Sequence, residues 1–150
     1  MRCEGRRVAQ GALPIAFCLL LAALQASAAG QGLPPITPEQ VRAAIDTLGD
    51  LDYFTRMNAA RTVRRAQPAT AVPALIQAVF EHADGYVRFR ALVLLTGFND
   101  PRAKDSMAQV LADPNDRLRE VAYGYLEHHL DPQLVPTLLN ALDRETAEFV

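Results

Sequence analysis

Side chains that commonly bind metals or transfer protons are few in this chain of 150 residues. The three histidines are His82, His128 and His129. Glu127 precedes the adjacent pair, but neighbouring side chains on a helix point about 100° apart and cannot easily share one ion. We expect His128 and His129 to lie near a helix C-terminus, where the helix dipole favours them. The sequence therefore predicts no metal site.

Nucleophilic side chains are also few. Neither Ser27 nor Ser106 lies in a Gly-x-Ser-x-Gly motif. Both cysteines, Cys3 and Cys18, lie near the start of the chain, and the glycines are too scattered to form a phosphate-binding loop. The net charge of −2 comes without a basic stripe, which argues against a nucleic-acid partner. We therefore expect no enzyme activity, no cofactor and no nucleic acid.

An arginine recurs at an interval of about 31–32 residues, which lies in the range of helical repeats. The arginines are Arg56, Arg88 and Arg119, and an acidic or amide residue stands one helical turn before each: Asp52, Asp84 and Asn115. The arginines are either solvated surface residues or, as the family resemblance described below implies, a structural ladder in which each pairs with an acidic residue of an adjacent turn or repeat. We favour the ladder, although the uncharged Asn115 weakens it. Exposed pairs contribute about 0–1 kcal/mol each, so a ladder would fix register more than stability.

Apolar residues follow the same period, which is typical of a solenoid built from stacked helix pairs. Two sets coincide at these offsets: Ala59, Ala91 and Ala122, and Leu75, Met107 and Leu138. A small alanine in the middle of a helix lets two helix axes approach closely. No segment alternates with period two for long enough to form a strand. The sequence therefore predicts an all-α fold.

Helix signals begin at Thr37, which can form a capping box with Gln40 and open a capping helix over residues 37–49. Helix pairs follow, and their members are called here the first helices and the second helices. The first helices are predicted over residues 53–66, 86–98 and 116–129, and the second helices over 70–82, 101–112 and 132–143. The loops between them are short, so neighbouring helices should lie antiparallel.

A more specific pattern begins with a proline and an apolar run, and continues with an aspartate, Val-Arg, an alanine and paired leucines. In the middle of the chain these are Pro73, Asp84, Val87-Arg88, Ala91 and Leu94-Leu95. Met107 to Leu126 repeats the order, and Pro136 to Val150 begins it again. This pattern resembles HEAT repeats of the short bacterial type over residues 37–150. The resemblance implies a right-handed α-solenoid with repeats at about 53–83, 85–113 and 116–145, and a further repeat beginning at 146–150.

The resemblance also implies a scaffold that binds an unidentified protein or peptide without catalysis, with the second helices lining its concave side. Amides recur on these helices at Gln77, Gln109 and Asn140. They form a tentative partner surface that can bind an extended peptide backbone, or they are simply solvated polar sites. Two alternatives are an accessory module of a longer exported enzyme and a HEAT-like lyase. A lyase is disfavoured by the leader described next. The sequence predicts no oligomeric state.

The first residues are typical of a secretory signal peptide. A basic start is followed by an apolar run from Ala12 to Leu24 and by small residues at Ala26-Ser27-Ala28. The run is shorter than the span of about 20 residues that a bilayer requires, so we expect cleavage rather than a stable membrane span. Residues 1–28 are predicted to be the signal and residues 29–36 a linker. The protein should be secreted or periplasmic, with anchoring by an uncleaved signal as the alternative.

The last residues repeat the start of a first helix. Val150 corresponds to Val87, which is followed by Arg88. Solenoids normally finish with a polar cap, and Phe149-Val150 is apolar. We therefore expect the sequence to be part of a longer array.

Overall fold

The computed structural model describes residues 33–147, so the predicted signal and residues 148–150 lie outside the described part. Within it, seven α-helices follow one another, with 3₁₀ turns at Thr47–Gly49 and Pro132–Leu134. The helices are α1 (Pro38–Asp46), α2 (Tyr53–Arg65), α3 (Pro68–Glu81), α4 (Gly85–Leu95), α5 (Pro101–Val110), α6 (Asp116–His128) and α7 (Val135–Leu142). Residues 33–147 contain no strand. The predicted all-α class is confirmed.

Polar side chains at the helix starts explain where most of these helices begin. The predicted capping box is present: Thr37 N donates to Gln40 Oε1 (2.9 Å), and Gln40 N donates to Thr37 Oγ1 (3.3 Å). At α5, the Asp100 carboxylate accepts a hydrogen bond from the backbone N–H of Arg102 at 3.0 Å, just before Pro101 at the first helical position. These caps satisfy backbone donors that have no partner inside the helix.

The last second helix differs from its predicted span of 132–143. Residues Pro132–Leu134 form a 3₁₀ turn, and the α-helix begins only at Val135. Pro136 has no N–H, so an α-helix that started at Pro132 could not make the bond from residue 136 to residue 132. The backbone N–H of Val135 donates to the Pro132 carbonyl instead, which is the tighter 3₁₀ pattern.

The helices pack in two rows, as expected for an α-solenoid of stacked helix pairs. The second helices follow the capping helix in one row, in which α1 lies against α3 and α3 against α5. The first helices form the other row, in which α2 lies against α4 and α4 against α6. The most extensive helix contacts join α1 to α2, α3 to α4 and α5 to α6. The helix α7 therefore follows the last of these close pairs.

The core lies between the two rows and consists of aliphatic side chains. Ala91 and Ala122 are fully buried, as their central positions in α4 and α6 require. The largest buried side chains include Leu75, Leu95, Met107, Leu118 and Leu126. Ser106 is the one buried polar residue in the described part of the chain, and its hydroxyl donates to the Arg102 carbonyl at 2.8 Å. On α7, only Ala141 is buried.

Candidate functional site

The row of second helices presents the recurrent amides to solvent. Gln77 on α3, Gln109 on α5 and Asn140 on α7 are all exposed. On α3 and α5 the apolar side faces the core, so residues on the opposite face of each helix point outward. Gln77 Nε2 donates to Glu81 Oε2 at 2.9 Å. The amides are therefore accessible to a partner, at equivalent positions on three helices.

A cleft of about 280 Å³ lies on the same row, between α1 and α3. It includes Gln77, and its apolar lining comes from Ile45, Ala74 and Ala78. The other lining residues are polar or charged: Arg42, Asp46, Glu81 and His82. Small-ligand pockets usually measure about 300–1,000 Å³, so this cleft better suits one or two side chains of a larger partner.

His82 and Asp46 lie at one end of the cleft. The Nε2 atom of His82 is 3.7 Å from Asp46 Oδ1, and its Nδ1 accepts a hydrogen bond from the backbone N–H of Asp84 at 3.0 Å. An accepting Nδ1 leaves Nε2 as the protonated nitrogen of the neutral ring. The cleft thus offers donors at Arg42 and His82 and acceptors at Asp46 and Glu81. This arrangement can bind a polar segment by hydrogen bonds.

The residues before the recurrent arginines have a different role from the one their spacing predicts. They cap the first helices: Asp52 accepts from Thr55 N (2.7 Å), Asp84 from Tyr86 N (2.8 Å) and Asn115 from Arg117 N (3.1 Å). A helix start has several backbone N–H groups without partners, and the nearest side-chain oxygen satisfies them first. The ion pairs of Arg88 and Arg119 go to other residues.

Arg88 connects the ends of two successive second helices. Its Nε donates to the Val79 carbonyl of α3 at 2.7 Å, and its Nη2 donates to the Asp113 carboxylate after α5. Both charged side chains are largely buried, with 18% and 9% of their surface exposed. The arginine therefore joins the end of the second helix before it to the loop that follows the next second helix.

Arg119 makes the corresponding connection one repeat later. Its Nε and Nη2 donate to the two carboxylate oxygens of Glu145 at 2.8 and 2.7 Å, while Nη1 donates to the Asp113 carbonyl at 2.9 Å. The Arg119 guanidinium, and then the backbone N–H of Ala147, lower the pKa of Glu145 from 4.5 to about 2. A bidentate pair of this kind fixes geometry as well as adding energy.

The predicted ladder allowed pairing with an adjacent repeat, which Arg88 and Arg119 show, but the spacing pointed to the residues one helical turn before each arginine and did not identify Asp113 and Glu145. Between Arg88 and Asp113 lie the rest of α4 and the whole of α5, and Glu145 is separated from Arg119 by α6 and α7 in the same way. A third long-range pair joins Lys104 Nζ to Asp131 Oδ2 at 2.5 Å. The available signal was the near-constant separation within the two ion pairs, 25 residues from Arg88 to Asp113 and 26 residues from Arg119 to Glu145.

The adjacent histidines lie at the C-terminal end of α6. His128 is the last residue of the helix, and its Nδ1 donates to the Gly124 carbonyl at 2.9 Å. The ring of His129 stacks on Tyr125 at a centroid distance of 3.9 Å. Across residues 33–147, no group of three or more His, Cys, Asp or Glu side chains is placed to hold a metal ion. None of the helices described is long and apolar enough to cross a membrane.

Comparison with known families identifies the repeats. A family model for HEAT repeats matches residues 41–127 and again 72–150. The two matches overlap and together extend over most of the chain. No curated protein and no solved structure shows significant similarity to it.

Proposed function

Because this chain belongs to the HEAT-repeat family, we propose that it is an exported scaffold that binds a protein or peptide along its second helices and has no catalysis of its own. HEAT repeats generally serve as protein-interaction scaffolds. The observation that carries the proposal is the cleft between α1 and α3, together with the exposed amides that continue from it.

The chemistry of this surface suits an extended peptide segment. A side-chain amide carries both donors and an acceptor, so it can match both the N–H and the C=O of a peptide backbone. Gln77 and Gln109 occupy equivalent positions on neighbouring, packed helices. The apolar lining of the cleft at Ile45 and Ala78 can take an apolar side chain of the same segment. Charged side chains, among them Glu81, add further polar contacts around it.

The test is position-specific photo-crosslinking in the source cells. A benzoyl-phenylalanine at residue 77 or 109 should give an adduct of defined mass with one partner. The same group at Glu120 or Glu127, which lie on a first helix away from both proposed surfaces, is the matched control and should give none. The purified partner should then bind a Gln77→Glu variant more weakly than the unmodified chain. Equal adducts from all four positions would contradict the proposal.

Export is the second part of the proposal, and its support comes from the order of basic, apolar and small residues in positions 1–28. The test is the intact mass of the protein recovered from the exported fraction. We expect a chain that begins after Ala28 or one residue later. Recovery of the uncut chain in the membrane fraction would instead support the anchored alternative.

A further inference from the structure

The start of α2 exposes a group of apolar side chains around one arginine. Leu51 is 96% exposed, Tyr53 59% and Phe54 73%. The rings of Tyr53 and Phe54 meet edge to face at 5.7 Å, and Arg56 Cζ lies 6.0 Å from the centre of the Tyr53 ring. Single exposed apolar residues are ordinary, but several together beside a cation form a surface suited to a partner.

Only part of the Arg56 guanidinium is used within the described chain. Its Nη1 donates to the carbonyls of Asp50 at 2.6 Å and Leu51 at 2.8 Å. Its Nε and Nη2 make no hydrogen bond with residues 33–147. A guanidinium has five N–H donors in a fixed planar fork, so one edge of this fork is open.

Arg119 shows which group binds the Nε and Nη2 atoms when an arginine at this repeat position is fully paired. Its Nη1 takes the two loop carbonyls of Asp113 and Pro114, which correspond to those of Asp50 and Leu51. Its Nε and Nη2 then hold both oxygens of Glu145. The same residue type, fixed in the same way by its loop, therefore selects a carboxylate.

The acidic residue that could pair with Arg56 from within the chain makes other contacts. Glu81 stands at the same distance along the sequence from Arg56 as Asp113 does from Arg88. The Glu81 carboxylate instead accepts from Gln77 and lines the cleft between α1 and α3. Arg56 therefore retains the loop-fixed geometry seen at Arg119 without a carboxylate hydrogen-bonded to its Nε and Nη2, and the nearby Asp52 carboxylate accepts from the backbone N–H of Thr55 instead.

We propose that the start of α2 is a second docking site, which binds an aspartate or glutamate side chain of a partner protein flanked by apolar residues. The carboxylate takes the Nε and Nη2 atoms of Arg56 as a bidentate pair. The flanking apolar residues cover Leu51 and Phe54. This site lies apart from the cleft of the second helices, so either can fail without the other.

The test uses the full chain and two synthetic peptides, acetyl-Leu-Leu-Glu-Phe-amide and the same peptide with Gln in place of Glu. Each peptide is titrated into the protein, the NMR signal of the Arg56 Nε–H group is followed, and a dissociation constant is determined for each peptide. We expect the Glu peptide to bind about fivefold more tightly, the ratio expected of one exposed ion pair near the upper end of its range. Arg56→Gln should abolish this preference because it removes the positive charge, and Arg56→Lys should reduce it because an ammonium keeps the charge but cannot form the planar fork.

Three further variants complete the test. Arg61→Lys, in the same helix and also exposed, should keep the full preference. Phe54→Ser, at a side chain too exposed to support the fold, should weaken both peptides. Glu81→Gln should leave the Glu peptide unaffected, and a large gain in affinity would show that Glu81 fills the fork itself. That gain, equal binding of the two peptides, or an unchanged preference in Arg56→Gln would overturn the proposal.

Discussion

The groove between α1 and α2 and the outward side of α7, the last helix described, are built differently. At the end formed by α1 and α2, the outward groove is lined mainly by small and polar side chains, among them Gln40, Thr47, Asn58 and Thr62. At the other end, α7 exposes Val135 by 48%, Leu139 by 58% and Leu142 by 54%. The equivalent residues of Leu142 in the two preceding second helices are Val79 and Leu111, which are 0% and 4% exposed.

The difference shows that apolar side chains at one position of the repeat can contribute different amounts to the free energy of unfolding. An apolar side chain stabilises the fold only to the extent that other atoms remove it from water. Val79 and Leu111 have neighbouring helices against them, whereas Leu142 keeps about half of its surface. The groove between α1 and α2 avoids this cost because most of its lining side chains are compatible with water, whereas Leu51, Tyr53 and Phe54 at the start of α2 remain exposed.

The largest expected effect comes from truncating the same repeat position inside and at the end of the stack. Leu111→Ala should lower the free energy of unfolding by about 2–5 kcal/mol, because it leaves a cavity in a buried site. Leu142→Ala should cost about 1 kcal/mol or less, since its side chain is half exposed. Urea unfolding followed by circular dichroism measures both. Equal losses would show that the two ends are not distinguished by burial.

A smaller effect is expected from enlarging an alanine. Ala91→Leu should destabilise the chain by about 1–3 kcal/mol, because a fully buried site must shift to admit the larger side chain. Ala43→Leu, on the exposed side of α1, should change stability by about 0.5 kcal/mol at most. Thermal unfolding of the two variants provides the comparison. A tolerated leucine at position 91 would mean that the helix axes are not closely packed there.

The capping box at the first end should have a measurable effect of its own. Thr37→Ala removes the side-chain acceptor of Gln40 N and should cost about 1 kcal/mol. Thr37→Ser keeps the hydroxyl and serves as the control, with little change expected. The start of α7 has no side-chain cap of this kind at Leu134, so the test applies to α1 and not to α7. The midpoint of urea unfolding distinguishes these variants.

A further effect concerns the carboxylate after α7 and depends on pH. The pKa of Glu145 falls from 4.5 to about 2 on folding, so its pair with Arg119 stabilises the fold above the unfolded value and is lost as pH decreases toward 2. Glu145→Gln should therefore be less stable than the original chain near neutral pH. The difference in melting temperature should shrink below pH 4.5. A difference that stays constant over this range would contradict the role of the ion pair.

Much of the architecture could be predicted because its signals are local or periodic. The positions of the helices follow from apolar residues at helical spacing and from caps such as Thr37 and Asp100. Burial of Ala91 and Ala122 follows from their shared position in the period. The exposure of Gln77 follows from its place on the opposite side of its helix. Each of these depends on residues within a few turns of one another or on the repeat itself.

The carboxylates that meet the arginines could not be predicted in the same way. Asp84 and Asn115 stand near Arg88 and Arg119 in sequence, but their side chains cap helices. The partners Asp113 and Glu145 are a whole helix away along the chain and come close only when the second helices stack. The open fork of Arg56 is likewise visible only by comparison with Arg119.

The amino-acid sequence alone determined the helices, their period and the apolar positions that form a core, because these depend on the chemistry of each residue and on regular spacing. Tertiary structure decided which charged groups meet and which apolar side chains are covered. Both depend on distances between helices that are far apart along the chain, and a pattern within a single helix does not contain those distances.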